Sequence, residues 1–455
     1  MLPILTPAEM RAVDAAEAHR IDALIERAGA AVARSALRML GGTYGRTVNV
    51  IAGRGNNGAD GRVAARLLEQ RGVKVRLFSA DGCPAVLPVA HLVIDAAYGT
   101  GFHGVWNAPD VGDAKVLAVD IPSGVDALTG AVSGTAIPAD RTITFQALKP
   151  GLLMPPGSAY VGELEVADIG LSSGVAAHAH AHLVQGSDVA AWLPERRLDA
   201  HKWVAAVRLV AGSVGMTGAA VLAARGATRA GAGMVQLSGV GCLVVDAPVE
   251  VVQRPLQGIG WGRSVLDGLA RFQSLVIGPG IGRDDSTAAE TRAVVLEAAV
   301  PTVVDGDALF AMAWNAQGAG ALLRQRMRPT VLTPHDGEFA LLTGAVPGAD
   351  RMVAARRLAA DTGAVVLLKG PATVVADPAG RVLVVTAGDE RLATAGTGDV
   401  LAGIVGALLA QGLDAFEAAA AGAWLHGRAA RSGPSQGFLA GDIPDLLPAV
   451  LESLA

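Results

Sequence analysis

Near its C-terminus the chain reads Thr394-Ala-Gly-Thr-Gly-Asp-Val-Leu-Ala-Gly403. This glycine-rich turn runs straight into an apolar, alanine-rich segment, Val400 to Ala410, that reads as a buried helix. Gly396 and Gly398 let the backbone bend and come close to a ligand. The helix that follows offers unpaired N–H groups and a positive dipole end, so the turn is an anion hole. Asp399 stands at its rim. A carboxylate beside a phosphate site is electrostatically costly, which suits proton transfer or a metal ion. Asp is also a good N-cap, and on the glycines alone the readings stand even.

Aspartates recur at strand ends in the first half. Thr47 to Ala52 is a β-branched run that leads into Gly53-Arg-Gly-Asn-Asn-Gly-Ala-Asp-Gly61 and a helix through Arg71. Strand, glycine loop and helix are the layout of a phosphate-binding turn. Two asparagines and an aspartate replace the usual apolar spacers. Asn56 and Asn57 offer carbonyl and amide groups, although Asn-Asn-Gly is also ordinary turn chemistry. Leu92 to Ala96 ends in Asp95-Ala-Ala-Tyr-Gly-Thr-Gly-Phe102, and Val116 to Val119 ends in Asp120-Ile-Pro-Ser-Gly-Val-Asp-Ala-Leu-Thr-Gly130. Open α/β sheets bind ligands at that edge. Oxygen donors gathered there suit a hard cation or ribose hydroxyls.

The second half repeats the arrangement. Strands at Val207 to Ala211, Leu275 to Ile277, Thr302 to Val304, Thr330 to Leu332 and Val365 to Leu368 close with polar or glycine loops. Those loops carry Gly280, Asp305, Asp307, His335, Glu338 and Lys369. Helices alternate with the strands, so the sheet is largely parallel. Its polar ends form one wall with the turn around Asp399. Taken singly, His335 is an ordinary loop histidine and Lys369 an ordinary surface lysine.

These sites need scaffolds. Thr6-Pro7-Ala8-Glu9 is a capping box with Pro at the first helical position, opening a helix in two pieces up to Leu40. Leu171 to Asp199 lacks periodicity and contains the alternating histidines 178, 180 and 182, which read as a solvated linker or edge strand before a metal tract. Residues 1–171, a linker at 172–199 and residues 200–455 are the expected divisions. The 455 residues are 51% hydrophobic, with 58 glycines and only 4% aromatic, a tightly packed α/β composition. Net charge is -5, so no basic face for nucleic acid is implied. Cys83 and Cys242 suit a reducing cytoplasm, and neither a signal peptide nor an apolar run of membrane length is found.

The order GRGNNGADG, DAAYGTGF, VDIPSGVDALTG and TITFQALKPG resembles the N-terminal domain of NAD(P)H-hydrate epimerases, over roughly residues 5 to 171. That resemblance implies a Rossmann-like three-layer fold. It implies that Asn56, Asn57, Gly58, Ala59 and Asp60 hold a hydrated nicotinamide nucleotide together with Gly99, Thr100, Gly101, Phe102, His103, Gly104 and Val105. Asp120 would contact the substrate. Asn57, Asp95 and Ser123 would hold a potassium ion. Asp126 and Lys149 are further catalytic candidates. Ala59 stands where the family usually has glycine. The links from Asp81 to His91 and from Phe102 to Lys115 look too short for the usual helices, and trimmed helices would expose a sheet face.

GSVGMTGAA, GPGIG, DGDAL, TPHDGE, KGPAT and ATAGTGDVLAG, in order across about residues 200 to 450, resemble ADP- or ATP-dependent NAD(P)H-hydrate dehydratases of the ribokinase-like superfamily. Carried over, Ala219, Gly280, His335 and Asp399 would meet the substrate, with Asp399 as general base. Lys369, Gly370, Pro371, Ala372, Thr373 and Gly398 would hold ADP or ATP, with Mg2+. Gly306 and Asp336 replace the family's usual Ala and Pro. Together the two resemblances imply a bifunctional repair enzyme, expected as a homo-oligomer acting on a small molecule. Two rivals stay open on sequence: a kinase of the hydroxymethylpyrimidine type, and a first half that binds without catalysing.

Overall fold

The structure is a computed structural model that describes residues 1–195, 198–314 and 318–454. The chain forms two compact units, Leu2–Ala181 and His182–Ala455, the second also taking in Met1. No helix among the described residues is long and apolar enough to cross a membrane.

The first unit is built on six strands: β1 (Thr47–Ala52), β2 (Lys74–Ser79), β3 (Leu92–Ala96), β4 (Lys115–Val119), β5 (Arg141–Phe145) and β6 (Glu163–Ala167). All pair in parallel, in the order β2-β1-β3-β4-β5-β6. The order reverses at β1, so the crevice between the carboxyl ends of β1 and β3 is the expected ligand position. One face is covered by α1 (Pro7–Ala16), α2 (Ile21–Leu40) and α3 (Asn56–Glu69). The Thr6–Glu9 capping box forms in full. Because α3 starts at Asn56, the two asparagines sit on a helical first turn instead of in the loop.

The opposite face has loops where the family pattern has helices. Between β2 and β3, and between β3 and β4, the described residues form no α-helix. Leu87 and Trp106 fold back from these loops, and Ile137 from the β4–β5 connection, onto Ile51, Val93 and Val116. The trimmed links therefore still close a small second core, although Val86, Val89 and Val105 stay exposed.

The stretch 172–199 is not a plain linker. Ser172–His178 and Gly186–Trp192 are helices. Val175 is buried in the first core and Val189 in the second, one apolar anchor each, too few to show as periodicity.

In the second unit the strands are β7 (Ala206–Ser213), β8 (Met234–Val240), β9 (Val252–Gln253), β10 (Ser274–Ile277), β11 (Thr302–Val304), β12 (Thr330–Leu332), β13 (Val365–Leu368), β14 (Thr373–Ala376) and β15 (Val382–Val385). Their order is β15-β14-β13-β12-β11-β10-β7-β8-β9. Pairing is parallel from β13 to β9, whereas β14 and β15 are antiparallel. Here the switch falls between β7 and β10.

Helices α4 (Thr217–Arg229), α8 (Thr397–Ala410) and α9 (Ala415–Ser432) pack on one face. The other strand ends lead into α5 (Asp307–Ala313) and α6 (Asp336–Thr343), while α7 (Arg351–Thr362) packs on β13 and β14. Helix α8 buries Val400, Ile404, Val405 and Leu408 completely. Each is worth up to about 1.5–3 kcal/mol against an exposed reference. Its backbone lies against α4: a side chain at Gly403 would begin 2.0 Å from the Ala223 carbonyl oxygen. That contact fixes where the N-terminus of α8 points.

Candidate active sites

In the first unit a cavity of about 540 Å³ opens at the β1–β3 crevice. Asn56, Asn57, Asp60, Gly99, Thr100, Gly101, Phe102 and Asp120 line it, joined by Asp14, Tyr98 and Lys149. The Tyr98 and Phe102 ring centroids lie 4.4 Å apart and make one aromatic side. Asp120 closes β4 with φ 68, a left-handed conformation that costs a non-glycine residue energy and is held by its surroundings. Its Oδ1 accepts from Lys149 Nζ at 2.5 Å and from Thr144 Oγ1 at 3.1 Å. Lys149 is itself only 1% exposed.

Two further carboxylates face this pair. Burial first, and the negative charge of Asp120 second, push Asp60 up to about 8. Burial likewise raises Asp14, with Lys149 pulling the other way. The cavity thus holds a protonated carboxyl, Asp60, beside an ion-paired carboxylate, Asp120. A buried carboxyl raised in this way suits a proton donor.

Asp95 is completely buried, and burial lifts its carboxyl above the ordinary range. Ser123 answers it twice, through Oγ at 2.7 Å and N at 2.9 Å. Both polar atoms of the Asn57 side chain are buried without a partner. Unsatisfied buried amides are rare and call for an occupant. Oxygen donors and one buried negative charge are a donor set that fits a monovalent hard cation.

Asp126 does not reach the cavity. Its Oδ1 accepts from Leu128 N, Thr129 N and Thr129 Oγ1, closing the loop after β4. Burial works against these bonds, yet they hold its carboxyl below the usual range. These bonds give Asp126 a structural part in the turn. Gly58, Ala59, His103, Gly104 and Val105 also fall outside the cavity lining. Val105 is 73% exposed.

In the second unit Asp399 lies in the first turn of α8, but Gly396, with φ 92, is the N-cap. The capping reading of Asp399 therefore fails. Burial, followed by the charges of Asp305, Asp307 and Glu338, pushes Asp399 up to about 7, with Lys369 pulling down. Lys369 Nζ lies 3.0 Å from Asp305 Oδ1 and 3.5 Å from Glu338 Oε2. Burial would lower the lysine, but these two carboxylates outweigh it and raise it. His335 caps α6: its Nδ1 accepts from Gly337 N at 3.0 Å and Glu338 N at 3.2 Å, and Glu338 Oε2 accepts from His335 N at 2.9 Å. Nδ1 is thereby the acceptor, which leaves the ring proton on Nε2, 3.6 Å from Glu338 Oε2.

Gly280 has φ +62, and a side chain there would begin 3.0 Å from the Ala219 Cβ. The two small residues thus share the switch-point floor. Asp307 is committed to that floor, bonding Gly282 N at 3.0 Å and Arg283 Nε at 2.6 Å. Lys369, Gly370, Pro371, Thr373 and Gly398 line a neighbouring cavity of about 600 Å³. Ala372 turns into the core and is 2% exposed.

Comparison with known proteins follows this division. The family profile described as NAD(P)H-hydrate dehydratase matches residues 207–450. The profile described as YjeF-related protein N-terminus matches residues 21–87 and 83–151. The bifunctional NAD(P)H-hydrate repair enzyme Nnr of Moorella thermoacetica is 36% identical, over 99% of this chain and 97% of its own length. The chain belongs to the bifunctional NAD(P)H-hydrate repair enzymes. The Mycobacterium tuberculosis Nnr is 39% identical over 88% of this chain and 86% of its own. Among solved structures, the ADP/ATP-dependent NAD(P)H-hydrate dehydratase of Bacillus subtilis, co-crystallised with ATP/Mg2+, is 30% identical with a TM-score of 0.51. It covers 60% of this chain and 98% of its own.

As an NAD(P)H-hydrate repair enzyme, the chain joins an epimerase half to a dehydratase half. Several residues of the repair sites escape a reading of the sequence alone. Asp14 lies on a helix that shows only an amphipathic pattern. Asp305 is visible at its strand end, but its contact with Lys369 is not. His426 lies inside an alanine-rich helix and lines the second cavity. A lone histidine on an apolar helix was the one available signal for it.

Proposed function

We propose the following roles for these residues in the repair of hydrated NADH and NADPH. The substrate carries a hydroxyl at C6, next to the ring nitrogen N1. In the first unit Asp120 takes the hydroxyl proton while Asp60 gives its proton to N1. The C6–N1 bond opens to an aldehyde, and closure on the other face returns both protons and inverts C6. Lys149 Nζ, 2.5 Å from Asp120 Oδ1, holds that carboxylate in place. Asn57, Asp95 and Ser123 would hold a potassium ion, which neutralises the buried carboxylate and orders the β1–β3 crevice.

In the second unit Asp399 takes the hydroxyl proton of one epimer as its oxygen attacks the terminal phosphoryl group of ADP or ATP. AMP or ADP departs. Inorganic phosphate then leaves C6, pushed by N1, and loss of a C5 proton restores the dihydropyridine. Lys369 and the N–H groups of Gly398 and Asp399 face the developing charge. Among the described residues no group of three or more His, Cys, Asp or Glu forms a metal site. Mg2+ carried with the nucleotide would supply charge neutralisation at the transferred phosphoryl group. Cytoplasmic residence suits the free Cys83 and Cys242.

The observation that carries this reading is Asp399, a carboxyl that burial pushes up to about 7, at the open end of a buried helix. A general base works best with a pKa near the operating pH. The test mixes the chain with both C6 epimers, Mg2+ and ADP or ATP, and follows reduced-nicotinamide absorbance. Full recovery of both epimers is expected. Recovery of one leaves the first unit a binding module, and a stable phosphate ester marks a kinase.

A further inference from the structure

Asp14 is the acidic group of the first cavity that the roles above leave idle. Met10 and Asp14, four residues apart on α1, share a helix face and line the cavity with Ile21, Leu24 and Ile25 of α2. This helical wall is apolar apart from Asp14. Asp120 lines the same cavity from a different element, the loop that follows β4. Among the described residues no hydrogen bond reaches the Asp14 carboxyl, and the residue is half-buried. Burial raises this carboxyl, with Lys149 lowering it and Asp120 raising it further. It therefore feels the Asp120–Lys149 pair without being bonded to it.

Inversion at C6 makes a demand that one fixed carboxylate cannot meet. The hydroxyl loses its proton on one face of the ring and is re-formed on the other. Asp120 is held at both oxygens, Oδ1 by Lys149 Nζ and Thr144 Oγ1, and Oδ2 by Thr100 N at 3.4 Å. It cannot follow the substrate oxygen across the ring. We propose that Asp14 is the second proton-transfer group of epimerisation, the acid that protonates the oxygen on the face away from Asp120. This rests on the roles given above to Asp120 and Asp60. As the opened chain closes, N1 attacks C6 and its proton goes back to Asp60. The C6=O π pair becomes an alkoxide, which takes the proton of Asp14. The turnover ends with Asp120 protonated and Asp14 ionised, the state from which the opposite epimer is converted. The reverse reaction then uses Asp14 as base and Asp120 as acid, so one site serves both epimers. Both residues are half-buried, so exchange with water resets the pair. A carboxyl raised by burial suits such donation.

The test follows one purified epimer of the hydrated coenzyme turning into the other, by chromatography, with the full chain and no nucleotide. D14N, isosteric but unable to act as the acid, should slow interconversion by about 10²–10⁴-fold, the scale of a lost general acid, with KM changed only a few-fold. D14A should be equally slow. Acetate buffer at constant pH and ionic strength should restore D14A several-fold and leave D14N unchanged, because the amide fills the space the added acid needs. A merely structural role would not give that rescue, and the rescue shows that D14A is folded. D120N is the control for the base. A D14N rate equal to the parent's, with D120N inactive, overturns the inference alone. So does a slow D14A that acetate does not restore. A D120N protein as fast as the parent overturns the roles assigned above, and this one with them.

Discussion

Lys369 Nζ stands 3.0 Å from Asp305 Oδ1, across 64 positions of sequence. It is the cation that lowers Asp399 against burial and the charges of Asp305, Asp307 and Glu338. K369M removes that counterweight. Asp399 then holds its proton more firmly, so the acidic limb of kcat/KM for dehydration moves to higher pH. Nucleotide KM also rises, and turnover at pH 7 falls on the order of 10²-fold, the scale of one preorganised electrostatic contact. A pH–rate profile checks this. A K369M profile that overlays the parent's removes the lysine from the site.

Asp399→Asn should abolish dehydration, with a fall of about 10²–10⁴-fold in kcat as for other general bases. Nucleotide binding and epimerisation should persist. A stability signature follows too. Asp399 titrates at about 7 in the fold and near 3.8 when unfolded. Between those values the folded state binds the extra proton, so the contribution of this group falls as pH rises from about 4 to 7. D399N lacks that penalty and should melt higher than the parent at pH 8. Identical melting at pH 5 and pH 8 would contradict the buried setting.

Much of this was legible in the sequence because buried parallel strands are continuous β-branched runs. Thr47–Ala52, Leu92–Ala96, Thr302–Val304, Thr330–Leu332 and Val365–Leu368 have the limits their sequences predict. The antiparallel pair β14 and β15 was missed because its first residue, Thr373, belongs to a glycine loop with its own reading. The sequence places Asp305, Glu338, Lys369 and Asp399 on one wall, but not that Lys369 contacts Asp305 and Glu338, since the residues lie on separate loops. The same holds for Asp14 and Asp60, which meet only once α1 and α3 pack on one sheet face. The local bonds that Leu128 and Thr129 make to the Asp126 carboxylate are likewise not visible in its motif.

Lys149 and Asp120 make a second buried pair, at 2.5 Å. Removing one member of such a pair leaves an uncompensated charge and costs about 3–5 kcal/mol. K149M should therefore lower the melting temperature of the first unit. K149M/D120N should regain most of the loss, since neither charge is then stranded. Epimer interconversion should be lost in both. Dehydration of the competent epimer, carried out by the other unit, should continue. A K149M protein that melts like the parent and still interconverts the epimers would refute the pairing.

The cation pocket gives the last test, and it separates a specific ion from ionic strength. Asp95 keeps a fully buried carboxyl with hydrogen bonds from Ser123 and the Ala97 amide, while the Asn57 amide lacks any partner. An ion that binds only the folded chain stabilises it by about 2.7 kcal/mol at a hundredfold excess over its dissociation constant. Replacing tetramethylammonium chloride by potassium chloride at constant ionic strength should raise the first unit's melting temperature and speed epimer interconversion. D95N removes the charge but keeps the shape, so it should fold and lose the potassium response. Because screening treats all monovalent salts alike, an equal response to both salts would leave the pocket a purely structural knot of hydrogen bonds.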